Sequence, residues 1–302
     1  MMRIAVTGGT GFIGHHLAVA LAAEGHEVVL VSRGVGRTDR GPFGPGIRFV
    51  AANVSDEGLL ASAFEGCEAV GHCAGINRER GKQSYAQIHV RGTQAVVSAA
   101  RAAGVRRVAL VSFLRARPAC GSAYHESKWA AEELARSSGL EFTVLKEGIT
   151  YGKGDHMLDH LSRTVRALPV FATVGLRPRT LRPVAVEDTV RVLRAALVDG
   201  RLGGRRVSVT GPEELTLTEV VRRVARATGR VVVVLPMPVW FHYALARTIE
   251  LLPWTPLVST AQVRMLAEGI SAAEPSCDAL PLDLQPGIRL TEEQVRKGLP
   301  DE

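Results

Sequence analysis

Tyr124 and Lys128 stand four residues apart in the stretch Tyr124-His125-Glu126-Ser127-Lys128. On a helix that spacing puts both side chains on one face, a turn apart. A free tyrosine titrates near pH ~10, too high for a proton acceptor at neutral pH, and a neighbouring ammonium favours the phenolate. Such a pair suits proton exchange with a hydroxyl or carbonyl while a hydride moves. Ser112, at the end of an apolar run upstream of Tyr124, is expected to hydrogen-bond the reacting oxygen.

A second constellation is Thr7-Gly8-Gly9-Thr10-Gly11-Phe12-Ile13-Gly14, between an apolar strand and a helix. Gly8 permits a tight turn, Gly11 lets backbone approach a pyrophosphate, and Gly14 lets the helix pack closely on the strand. Unclaimed N–H groups and the helix dipole then attract phosphate. An NAD site usually carries Asp or Glu about 20 residues further on, at the ribose 2′-OH. Here Ser32-Arg33 ends the second strand, and Arg37 and Arg40 follow. Guanidinium groups suit a 2′-phosphate, so NADP(H) is expected over NAD(H).

The elements that must position these groups alternate. Strand-like runs are 3–7, 27–32, 47–51, 69–73, 107–112 and 141–146, and helix-like stretches are 12–23, 57–64, 85–103 and 123–138. The pattern predicts an α/β protein with a doubly wound parallel sheet (Rossmann) and a smaller, mostly helical C-terminal lobe. After Gly148 the rhythm breaks. Residues 155–167 and 186–198 read as helices, 169–183 as irregular, 206–210 as a strand, and Thr216 with Glu219 as a capping box. The expected division is 1–150 with 185–212 as the cofactor domain, and 151–184 with 213–302 as the substrate or partner lobe.

The 302 residues are 46% hydrophobic and 22% charged, which excludes a disordered or fibrous chain. Net charge is +7, mostly from dispersed arginines without a nucleic-acid motif, so no nucleic-acid partner is expected. The four cysteines lack the spacing of a zinc site or disulfide framework and suit a reducing cytoplasm. No secretory signal and no apolar run of about 18 residues is read, so no transmembrane segment is expected. His156, Asp159 and His160 read as a polar helix face rather than a metal site. Trp240, Phe241 and Tyr243 are assigned by default to core packing, with a pocket, a lobe interface, or a membrane or partner contact as alternatives.

Together, T-G-G-T-G-F-I-G, the strand-end serine, Y-H-E-S-K, G-L-E-F-T-V-L-K-E-G-I-T-Y-G-K-G-D and L-R-P-V-A-V-E-D-T-V resemble the short-chain dehydrogenase/reductase superfamily. The likeness is to its extended, epimerase/dehydratase-like branch, and more closely to the atypical group that includes the NAD(P)H-binding accessory subunit of respiratory complex I. The resemblance implies that Asn53 and Val54 sit near the adenine and that Cys73, Ala74 and Gly75 line the central part of the cofactor. It also implies that Glu147, Gly148, Ile149, Thr150 and Tyr151 flank the nicotinamide, and that Arg182 falls where a substrate phosphate is often held. His89 stands where such proteins usually carry Asn, and Lys146-Glu147 replaces their usual Arg-Pro. Two functions follow. One is an NAD(P)-dependent oxidoreductase or epimerase/dehydratase acting on a hydroxyl or carbonyl of a small molecule. The other is a non-catalytic NADP(H)-binding accessory subunit or sensor, associated with a larger complex. A homo-oligomer remains open.

Overall fold

The structure is a computed structural model that describes residues 1–34, 43–81, 83–177, 179–250 and 260–300. In chain order, β1 (Arg3–Thr7), α1 (Phe12–Ala23), β2 (Glu27–Ser32), β3 (Ile47–Ala51), α2 (Glu57–Phe64) and β4 (Ala69–His72) come first. A π-helical turn (Ala86–Arg91) then runs into α3 (Gly92–Ala102), followed by β5 (Arg107–Phe113), α4 (Ala123–Arg136) and β6 (Glu141–Glu147). Next are β7 (Thr150–Tyr151), α5 (His156–Ala167), β8 (Val170–Val174), β9 (Thr180–Leu181), β10 (Val184–Ala185), α6 (Val186–Leu197) and β11 (Arg205–Val209). The chain continues through β12 (Leu215–Thr216), α7 (Leu217–Ala227), β13 (Val233–Met237), α8 (Val239–Glu250), α9 (Thr260–Glu268) and α10 (Glu292–Gly298).

The chain forms two compact units. The first comprises Met1–Glu147, Glu187–Val209 and Ala273–Gln285. Its seven strands form one parallel sheet in the order β11-β6-β5-β4-β1-β2-β3. The strand order reverses between β1 and β4, and in open α/β sheets ligands bind at such a point, beyond the strand C-termini. The central strands are apolar on both faces because helices cover both. Val28, Val29, Leu30 and Val31 are all buried, whereas the edge strand β3 is half-exposed. Ala273–Gln285 joins this unit through Asp278, whose N–H donates to Arg206 O (2.8 Å). The sequence placed that segment in the lobe, because its prolines conceal a return along the sheet edge.

The second unit comprises Gly148–Val186, Thr210–Ala272 and Pro286–Glu302. Thr216 and Glu219 form the expected capping box on α7: Thr216 N–H donates to Glu219 Oε2 (2.6 Å), and Glu219 N–H to Thr216 Oγ1 (3.3 Å). The unit is less helical than expected. Residues 169–183, read as irregular, supply β8 and β9, and β13 pairs with β8 in parallel. Pro169 immediately precedes β8 and Pro236 sits on a two-stranded pair, positions where the missing N–H breaks no central ladder.

Candidate functional site

The glycine loop closes the end of β1 through contacts that exclude any side chain. Gly8 has a left-handed backbone (φ +68°), and a Cβ there would lie 2.6 Å from Ala74 N, a backbone atom that cannot swing aside. A Cβ on Gly14 would lie 2.5 Å from Gly8 O, which is why α1 can start directly against the loop. On Gly9 it would meet Leu30 Cγ at 2.4 Å. Gly11 caps α1 without a side-chain hydrogen bond, and the first turn, carrying Phe12 and Ile13, holds no acidic residue. Its N–H groups and dipole therefore suit an anion. Thr10 Oγ1 and Ser32 Oγ, 2.6 Å apart, tie the loop to β2. This glycine-built cradle fits a dinucleotide pyrophosphate. Gly8→Ala should weaken NADPH binding about tenfold or more in calorimetric titration, since the shift needed to admit the Cβ deforms the cradle. Gly25→Ala is the control: its φ is also positive (+82°), but nothing lies within 4 Å of its Cβ. Equal affinities for the two variants would sink the assignment.

The residues around the cradle differ in what they are free to do. Arg33 is exposed just beyond β2, while Arg37 and Arg40 lie outside the described residues. Asn53 is exposed, and its side-chain oxygen accepts from Ser55 N–H (3.3 Å) and Ser55 Oγ (3.2 Å). Val54 is packed where a Cβ on Gly92 would come within 2.8 Å. The segment Cys73-Ala74-Gly75 spans from the glycine loop to Lys128. Cys73 N–H donates to Thr7 O (3.1 Å), Ala74 meets Gly8, and a Cβ on Gly75 would lie 3.0 Å from Lys128 Nζ. Burial, with Glu147 adding to it, pushes the Cys73 thiol up to about 12, which disfavours its thiolate. Gly148 and Ile149 belong to the second unit, where Ile149 O accepts from Val184 N–H (2.9 Å).

Two buried histidines, His72 and His89, have both ring nitrogens hydrogen-bonded within the protein. Thr93 Oγ1 donates to His89 O (2.6 Å), so it accepts from His72 Nε2 (3.0 Å). His72 Nδ1 must then accept from Thr7 Oγ1 (2.7 Å). His89 Nε2 accepts from Ile76 N–H (3.1 Å), which places its proton on Nδ1, facing Ser127 Oγ (2.9 Å). Ser127 in turn donates to Tyr124 O (2.9 Å). Burial first, then Lys128, lowers His72 to about 3 and His89 to about 2. Both ring nitrogens of His72 are thus engaged inside the protein. The π-helical turn, in which Gly92 N–H reaches back five residues to Gln87 O, carries His89.

Tyr124 and Lys128 lie one turn apart on α4, both buried. The Tyr124 ring stands among Tyr85, His89, Phe113 and His125, with centroids 5.3 to 5.8 Å away. Its hydroxyl donates to Asn77 Oδ1 (3.5 Å). Lys128 Nζ donates to Val111 O (3.2 Å). Burial lowers Lys128 to about 8, opposed by Glu147, Glu132 and Cys73. Burial, with Tyr85, pushes the Tyr124 phenol up. That reverses the expectation that Lys128 lowers it: the ammonium is bonded to Val111, and desolvation outweighs its charge.

Ser112 is directed elsewhere. It is the in-register neighbour of Lys146 across β5 and β6, so both side chains share a sheet face. Its hydroxyl donates to Glu132 Oε1 (2.5 Å), one turn beyond Lys128 on α4. Glu132 is fully buried, with Lys146 Nζ and Arg206 Nη1 each 3.7 Å from its carboxylate. Lys146 Nζ also donates to Ala116 O (2.7 Å) and Glu274 O (3.2 Å). The ion cluster claims the serine expected beside Tyr124. The sequence reading missed Asn77 and Tyr85, although both follow β4, where the switch point gathers ligand-facing groups. Tyr85 is fixed by Oη donating to Asn77 O (3.0 Å) and N–H donating to Glu79 Oε1 (2.7 Å). Among the described residues no His/Cys/Asp/Glu group is arranged to hold a metal, and no helix is long and apolar enough to cross a membrane.

Residues 8–160 match the family model described as NAD(P)H-binding. The chain is 31% identical over 263 residues to an uncharacterized protein of Mycobacterium tuberculosis; the match covers 87% of this chain but only 27% of that protein's length. It is 30% identical to a ceramide reductase of Caulobacter vibrioides (75% of this chain, 70% of that protein). It is 25% identical to mouse mitochondrial NADH dehydrogenase [ubiquinone] 1 alpha subcomplex subunit 9 (94% and 74%). In fold it is similar to MoeE5, solved with UDP-glucose and NAD, at a TM-score of 0.72 and 22% identity over 98% of this chain and 97% of that one. With the glycine cradle, the switch-point sheet and these likenesses together, the chain belongs to the NAD(P)H-binding family within the short-chain dehydrogenase/reductase superfamily.

Proposed function

We propose that the protein is an NAD(P)H-dependent reductase of a carbonyl compound. The observation that carries this reading is the Cys73–Gly75 segment, which touches the glycine loop at one end and Lys128 at the other. It puts a buried acid and a buried ammonium beside the cofactor cradle. When bound, the reduced nicotinamide supplies the hydride. Tyr124 holds its proton across the neutral range, which suits a donor to the carbonyl oxygen better than a base acting on an alcohol. Lys128, charged below pH about 8, stabilises the oxyanion side of that transfer. The rate of reduction should fall as pH rises through that value. Substrate or partner recognition is assigned to the second unit. The relative named ceramide reductase supports the reductase direction and makes an oxidised ceramide a fitting member of a test panel. Oxidation of NADPH in the presence of ketones, aldehydes and that lipid is the measurement; no turnover with any of them, despite tight cofactor binding, overturns the reading.

We assign the cofactor as NADP(H), because β2 ends at Ser32 and Arg33 follows, where a carboxylate would select NAD(H). A charge-assisted contact to the 2′-phosphate corresponds to about tenfold or more in affinity. NADPH should therefore bind at least that much more tightly than NADH in fluorescence titration, and Arg33→Ala should narrow the gap. Equal affinity of the wild type for the two sinks the preference.

The engagement of Ser112 by Glu132 favours a second reading, a cofactor-binding accessory subunit or sensor without turnover. The likeness to the NADH dehydrogenase subunit supports it.

A further inference from the structure

The paired strands β8 and β13 of the second unit have two unlike faces. In their parallel register Val170 lies beside Val233 and Ala172 beside Leu235. Alternation places these four side chains on one face. On the opposite face Thr173 is completely buried. At the far end of the first face, Val174 is buried with Ala246 of α8 and Val263 of α9, and Val239 and Tyr243 pack against them. Helix α8 thus covers the end of this face. The rest is bare: Val170 is 43% exposed, Val233 57% and Leu235 45%. Leu168, just before β8, is 55% exposed, and on α8 Trp240 reaches 70%. The default assignment of Trp240 to core packing is therefore corrected.

Charge on the same segments has one sign. Residues 160–186 contain five arginines and no carboxylate, and residues 220–249 again contain five arginines and no carboxylate. Arg163, Arg223 and Arg226 are paired with Asp159, Glu213 and Glu292, all outside these two stretches. Arg177, Arg179, Arg230 and Arg247 are exposed. Arg230 lies just before β13, and Arg177 and Arg179 just after β8, so arginines flank the apolar strands in sequence at both ends.

We infer that this face docks on the surface of an anionic lipid bilayer. An exposed indole on α8 and exposed aliphatic side chains on the strands that α8 adjoins each favour the boundary between headgroup and acyl chain. Flanking arginines without carboxylates are drawn to anionic headgroups within a Debye length. A second copy of this chain is a poorer occupant, because a symmetric contact would set the same arginines against each other. No described helix is long and apolar enough to span, so the attachment is peripheral.

The test is co-sedimentation of the purified full chain with vesicles of phosphatidylglycerol and phosphatidylcholine in equal parts. Binding is expected at low salt, with most of it lost at high salt and little on phosphatidylcholine alone. Trp240→Ser combined with Val233→Ser should lower binding about tenfold or more. Both positions are exposed and remote from the cofactor cradle in sequence, so NADPH affinity should be unchanged. That second readout shows the variant is folded, and it keeps this outcome separate from that of the reductase reading. Absence of vesicle binding, or binding indifferent to the double substitution, overturns the inference. So does a dimer in sedimentation velocity that the same substitutions dissolve, for then a second copy covers the face.

Discussion

Tyr124→Phe should lower kcat for carbonyl reduction by about 10²- to 10⁴-fold, the range associated with loss of a positioned proton donor. KM for NADPH and the affinity measured by calorimetry should stay within a factor of about two, since the phenol ring, not its hydroxyl, provides the packing. The ring stands among four aromatic neighbours, and the hydroxyl makes one long hydrogen bond, to Asn77 Oδ1 at 3.5 Å. Removing the oxygen therefore leaves little unsatisfied, and thermal stability should hardly move. The cleanest contrary result would be a variant that still turns over at the wild-type rate. That would leave a cofactor-binding site with no proton donor assigned.

Lys128→Met should have the opposite signature: activity falls steeply while the protein becomes more stable at neutral pH. Lys128 is buried and sits at about 8, against an ordinary value of 10.5. At about 1.4 kcal/mol per pH unit, keeping that ammonium charged inside the fold costs on the order of 3 kcal/mol at pH 7. Met fills a similar volume without the charge. The loss of the bond to Val111 O gives back about 1 kcal/mol. The remainder corresponds to a rise in Tm of roughly 2–8 °C for a chain of this size. The sign follows from linkage. Between pH 8 and 10.5 the unfolded chain binds more protons at this residue than the folded one, so the wild type gains stability as pH rises through that window. Its deficit relative to the Met variant is complete below pH 8 and should close toward pH 10. Melting curves of the two proteins from pH 6 to about 10 would check this; a gap that stays constant, or a wild type that is the more stable at pH 7, would show that Lys128 is not paying a burial cost.

The two constellations to which the proposed function assigns the chemistry differ in how visible they were before the fold was known. The glycine loop was legible because its spacing is local, with Gly14 excluded from bearing a side chain by Gly8 and Gly11 capping the helix that begins at the next residue, whereas the limits that Ala74 sets on Gly8 and Leu30 sets on Gly9 arise only in the fold. The Tyr124–Lys128 pair was legible for the same reason, since a helical turn alone brings the two residues together. Ser112 was placed correctly on its strand and wrongly in its partnership. Its position at the end of β5 follows from the apolar run, but the choice between Tyr124 and Glu132 depends on how α4 is seated across the sheet. The segment 169–183 misled because its prolines break a propensity pattern while leaving a two-stranded edge pair intact.

What the sequence determined by itself is the alternating αβ pattern, the glycine spacing and the placing of Tyr124 and Lys128 on one helix face, all read from periodicity along the chain. Tertiary structure alone decided that Asn77 meets Tyr124 across 47 residues, that Lys146 reaches Glu274 O across 128, and that burial pushes the Tyr124 phenol up. The reason is physical: spacing dictates which neighbours along the chain can touch, but burial, which sets the protonation of each group, exists only once distant segments have closed over it.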